Sequence, residues 1–152
     1  MWLLLASLGE AHALGVGSTI AFGPGFDLFG GPAFVPTVDL VFDPVIVQIH
    51  ALDTLDAAFD EQLYLGANLY VEVVSQPIGG KWEGVVQPGG GLDLFGDPTT
   101  VVIDGQVRLG AQAAEQAGVG LYVVPALGLV ASDGDSSLFA SGALQLSVWF
   151  GG

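Results

Sequence analysis

The chain has 152 residues, of which 51% are hydrophobic and 12% charged, with 24 glycines and no cysteine. A soluble domain carries roughly 25% charged residues, and one this small has too much surface to hide so much apolar side chain. The formal charge of −14, sixteen acids against Lys81 and Arg108, excludes nucleic acid as a partner, and the missing cysteines exclude disulfides.

Along the chain, residues 2–13 pair a short apolar core with Ala11-His12-Ala13, the small-x-small pattern of secretory cleavage. This predicts a signal peptide over 1–13, truncated because a basic start is missing, and one barrel domain over 14–152. Eight strand candidates follow, at 14–28, 33–42, 45–54, 62–74, 84–95, 99–111, 117–131 and 137–150. The last is the clearest: Leu138, Ala140, Gly142, Leu144, Leu146, Val148 and Phe150 alternate with Phe139, Ser141, Ala143, Gln145, Ser147 and Trp149. A two-residue period gives a strand one apolar and one water-tolerant face. Turn signals separate the candidates at Gly30-Gly31-Pro32, Asp43-Pro44, Gly96-Asp97-Pro98 and Asp133-Gly134-Asp135, with longer links at 55–61, 75–82 and 112–116.

Spanning helices would need roughly 20 apolar residues each, and the uncharged runs 116–132 and 136–152 fall short. Spanning strands need about 9–11 residues, and a closed barrel is the other way to satisfy backbone groups in lipid. The expected fold is therefore all-β, an up-and-down antiparallel eight-stranded transmembrane barrel. Gly23–Pro32 matches Gly89–Pro98 at seven of ten positions, and equal parity puts both segments at one rim, as duplication of a four-stranded half would.

Charge fixes the phase. Asp27, Asp39, Gln48, His50, Asn68, Glu72, Gln87, Asp93, Asp104, Gln106, Arg108, Gln145 and Ser147 fall on one face, taken as the lumen. Val38, Leu40, Val45, Val47, Ile49, Leu65, Leu69, Val71, Val101, Ile103, Val107, Leu109, Leu144 and Leu146 form the other, where a mid-depth Arg would cost about 2–4 kcal/mol. An eight-stranded barrel is just wide enough for side chains to fill it. Arg108 is expected to pair with Asp104 or with a cross-strand acid such as Asp39, Glu72 or Asp93. One Arg cannot neutralise five acids, so some carboxylates are expected to be protonated or to reach water near a rim. Phe22, Phe34, Phe42, Phe95, Trp149 and Phe150 stand near strand ends, where barrels carry aromatic girdles.

The alternating strands and the terminal segment Leu144-Gln-Leu-Ser-Val-Trp-Phe150 resemble the small eight-stranded outer-membrane β-barrel proteins of Gram-negative bacteria, the superfamily that includes the OmpA and OmpX membrane domains. The resemblance implies an outer-membrane location. Leu144, Leu146, Val148 and Phe150 would then be the signal read by the barrel-assembly machinery. Gly151-Gly152 departs from the pattern, which usually ends on the aromatic. Lipid and lipopolysaccharide become the expected partners, with the protein a monomer.

Motifs for phosphate binding, acyl transfer and metal ligation are absent, so neither an enzyme, a metal nor a cofactor is expected. His50 reads as a lumen hydrogen-bonder, Asp133-Gly134-Asp135 as a hairpin turn that could hold Ca²⁺ only loosely, and Asp53, Asp56, Asp60 and Glu61 as a solvated rim. The expected role is structural or surface-interacting, with a filled lumen. The alternatives are a small pore or hydrophobic-ligand carrier, a lipid-modifying enzyme, and a soluble lipocalin-like barrel.

Overall fold

The computed structural model describes residues 13–22, 33–53, 63–95, 100–113 and 118–150. Among them are nine strands: β1 (Ala13–Phe22), β2 (Ala33–Phe42), β3 (Val45–Asp53), β4 (Leu63–Val71), β5 (Val74–Gly79), β6 (Trp82–Phe95), β7 (Thr100–Ala113), β8 (Gly118–Ser132) and β9 (Asp135–Phe150). Sequence neighbours pair antiparallel except β4 and β5, which do not pair with each other. Two further pairings close the sheet: β1 with β9, and β4 with β6. β5 continues the line of β4 past Glu72 and Val73, so the closed wall has eight staves. The fold is the expected all-β, up-and-down, eight-stranded antiparallel barrel.

Turn chemistry fixes the hairpins. Asp133 (φ 48°) and Gly134 (φ 92°) both take the left-handed region that a two-residue connection between twisted strands requires. Ser132 therefore pairs with Asp135, and β9 starts two residues before the expected 137. The larger difference is at 75–82, expected as a link. It folds instead as the β5–β6 hairpin, with Gly80 and Lys81 at the turn and Gly79 opposite Trp82. Pro77 sits on a strand with one free edge and beside a register irregularity, the two places a sheet tolerates proline.

Following Cα partners once around the wall leads from Gly118 through Trp149, Gly15, Asp39, Gln48, Asn68, Gly91 and Asp104 to Gly128. The offset on β8 is ten residues, which over eight staves tilts the strands by about 40°. A ten-residue strand then rises about 25 Å along the axis. β1 and β2 have ten residues each, whereas β6 to β9 run from 14 to 16, so one side of the wall is taller.

The two faces differ in chemistry. Among the described residues twenty-four large hydrophobics are exposed, against seven buried ones, so the barrel is apolar on its outside. Leu14, Val38, Ile49, Leu69, Leu92, Leu109, Val123 and Leu146 carry this surface right round the barrel. No charged residue whose side chain is described lies on it between the rims. The rim holding Ala13, Phe150 and the Asp43–Pro44 turn, here the base, bears Phe42, Trp82 and Phe150 on the outward parity. Trp149, expected in a girdle, is in phase with Gln145 and Ser147, and its ring covers Gly118 on the inner side.

Residues 1–12, and with them the predicted signal segment up to its last residue, lie outside the described residues, as do Asp27, Asp56, Asp60, Glu61 and the first copy of the repeated decapeptide. Ala13 opens β1, opposite Val41.

Candidate functional site

Period-two geometry sends Asp39, Gln48, His50, Asn68, Gln87, Gln106, Arg108, Gln145 and Ser147 inward, where all are buried. Their centre is Arg108. β2 and β7 are not neighbours in the wall, yet Arg108 Nη2 reaches across the lumen to Asp39 Oδ2 at 3.1 Å. Asp39 also accepts from Gln48 Nε2 at 2.6 Å and from Ser147 Oγ at 3.2 Å. Asn68 Nδ2 donates to Gln48 Oε1 at 3.0 Å and extends the chain to β4. The guanidinium lies between the rings of Tyr70 (4.8 Å) and Tyr122 (4.1 Å). A cation over a desolvated ring face gains about 2 kcal/mol.

Bare backbone makes room for those rings. A Cβ on Gly89 would meet Tyr70 Cδ1 at 2.6 Å, and one on Gly110 would meet Tyr122 Cδ1 at 2.7 Å. Glycine is thus required here for close approach. This Arg–Tyr layer fills the lumen's lower half.

Below it, towards the base, Glu72 Oε2 accepts from Gln87 Nε2 at 2.8 Å and from Gln112 Nε2 at 3.2 Å. Tyr122 Oη donates to Gln112 Oε1 at 3.1 Å. Above it, Tyr70 Oη donates to Gln106 Oε1 at 2.8 Å, and Gln106 Nε2 donates to Asp104 Oδ1 at 3.1 Å. His50 Nε2 and Asp93 Oδ1 are 2.7 Å apart.

The single buried cation therefore goes to Asp39. Glu72, Asp93 and Asp104 are held by amides or by His50 and keep partial access to water. Of the four acids expected as partners, Arg108 takes Asp39 and not Asp104, Glu72 or Asp93.

A cavity of about 80 Å³ opens above the Arg–Tyr layer. His50, Asn68, Asp93, Asp104, Gln106 and Gln145 all line it. Gln145 is 1% exposed, yet neither amide atom has a hydrogen-bond partner; Thr37 Oγ1, also on the wall, has none either. Such groups are rare in protein interiors. Among the described residues no three His, Cys, Asp or Glu converge in the manner of a metal site.

Leu144, Leu146, Val148 and Phe150 share the outward face of β9, three of them exposed at 44%, 46% and 58%, with Val148 half-buried. Asp53 ends β3, and Asp133 and Asp135 flank an exposed turn. Sequence reasoning missed Tyr70 and Tyr122. The signal was present: each is in phase with polar residues and lies beside an inward glycine, Gly89 or Gly110, on the next strand.

No family model, no curated protein and no solved structure matches the chain.

Proposed function

We propose that the chain is an outer-membrane β-barrel protein of a Gram-negative bacterium, with a structural or surface-interaction role and a lumen too full to conduct. The observation that carries this reading is the continuous apolar belt around a closed barrel, with polar side chains turned inward. Water would penalise such a belt, whereas a hydrocarbon layer makes it the stable arrangement. The strand rise of about 25 Å matches the apolar band of bacterial barrels. Aromatic Phe42, Trp82 and Phe150 at one edge suit an interface with lipid headgroups.

The likeness to the OmpA and OmpX membrane domains is one of architecture: strand number, closure and alternation. On this reading Leu144, Leu146, Val148 and Phe150 address the chain to the assembly machinery, lipid and lipopolysaccharide surround a monomer, and no cofactor or catalysis is involved. The Arg108 layer argues against an open pore, because guanidinium, two phenol rings and Asp39 occupy the lumen's lower half. A soluble lipocalin-like barrel would need the opposite phase, apolar inside.

Refolding residues 14–152 with and without detergent tests the proposal. Heat-modifiable gel migration and a β-type circular dichroism spectrum that require detergent or lipid are expected, with no conductance in planar bilayers. A monomeric β-protein that folds in plain buffer would overturn it.

A further inference from the structure

We propose that the upper lumen binds a small organic cation, a primary ammonium on a short apolar stem. Two carboxylates, Asp93 on β6 (2.7 Å from His50) and Asp104 on β7 (accepting from Gln106), stand on adjacent strands of the cavity wall and keep their second oxygens for a ligand, and no Lys or Arg lines it. Arg108 lies below and is committed to Asp39. An ammonium has three donors and no acceptor, so it suits a wall of oxygens.

Unsatisfied acceptors mark the rest of the site. Both amide atoms of Gln145, Oε1 and Nε2, and Thr37 Oγ1 have no hydrogen-bond partner although their side chains are almost wholly buried, and both residues line the cavity. Neither belongs to the Arg108 cluster, so they are evidence independent of the carboxylates. Leaving such oxygens unpaired destabilises the wall, and a bound donor would satisfy them. Val35, Val124, Ala126 and Ala143 supply apolar wall for a stem.

Backbone helps to hold the space open. A Cβ on Gly91 would meet Asp104 Oδ1 and Gln106 Nε2, both at 2.9 Å, and also Asn68 Oδ1. The cavity volume of about 80 Å³ limits the ligand to a few heavy atoms. The site depends on the lumen alone, not on what covers the outer face.

The test is a titration of the full, ¹⁵N-labelled chain, in whichever medium folds it, with n-butylammonium chloride at constant ionic strength. n-Butanol and n-butyrate, matched in size but neutral and anionic, run in parallel. Saturable shifts of the Gln145 side-chain amide and of the Thr37 and Asp93 backbone amides are expected with the ammonium. Butanol should bind at least tenfold more weakly, and butyrate not at all. The double variant Asp93→Asn with Asp104→Asn should weaken ammonium binding at least tenfold. Ala143→Leu, which fills the wall, should abolish it and keeps the test decisive if the double variant fails to fold. Equal shifts with butanol, shifts insensitive to both variants, or no saturation would each overturn the proposal, leaving a cavity that holds water only.

Discussion

Removing one partner of the Asp39–Arg108 pair should harm the barrel more than removing both. Arg108 is 1% exposed, so Asp39→Ala strands a guanidinium whose nearest remaining acceptor is Ser147 Oγ at 3.4 Å. Breaking a buried pair in this way costs about 3–5 kcal/mol. Arg108→Met costs less, because Asp39 keeps Gln48 and Ser147 as donors; about 3 kcal/mol is expected. Asp39→Ala with Arg108→Met removes both charges at once. It forfeits two ring contacts but restores neutrality, so it should lie about 1–3 kcal/mol above Asp39→Ala. Urea unfolding followed by tryptophan fluorescence in the refolding medium measures all four chains. With a denaturant slope of about 2 kcal/mol/M, the Asp39→Ala midpoint drops by about 2 M and the double variant recovers part of it. A double variant less stable than either single one, with additive losses, would refute the idea that Arg108 depends on Asp39 for its place in the lumen.

Other positions give independent readouts. On the outer belt, Val123→Arg at 52% exposure should cost about 2–4 kcal/mol in lipid vesicles, whereas an equally exposed site in water would shift stability by about 0.5 kcal/mol or less. Urea midpoints in the two media separate the cases. Gly110→Ala drives a methyl into the Tyr122 ring and the Leu121 carbonyl, so a loss of about 1–3 kcal/mol is expected in the same unfolding assay. Phe150→Ala, at an exposed terminal aromatic, should lower the amount of folded barrel in outer-membrane fractions severalfold while its refolding yield in detergent stays close to that of the parent.

Most of the wall was legible because alternation is a local signal. β2 was read to its observed limits and β3 to within one residue, since Asp43-Pro44 marks the turn between two β-branched-rich runs. The phase followed from Asp104, Gln106 and Arg108, three polar residues at every second position of β7. What escaped depended on distant partners. Pro77 and Gly79 look like a loop until β6 lies beside them, and the strand exists through that pairing. Tyr70 and Tyr122 were hidden by their dual nature, apolar in the belt's terms and polar in the lumen's. The choice of Asp39 for Arg108 was set by a ten-residue stagger that brings β2 opposite β7, and strand patterns taken singly carry no trace of it.

That pairing across the lumen also couples the two ends of the chain in time. Asp39 receives Arg108 from 69 residues downstream and Ser147 from 108 residues downstream. A half-assembled sheet of β1 to β4 gives Asp39 only Gln48 among these three donors. Its carboxylate stays an unneutralised charge until β7 and β9 arrive. Contacts so remote in sequence form late, because loop closure must come first. Charge compensation at Asp39 therefore waits on β7, and a chain cut before β7 leaves that carboxylate without its cation.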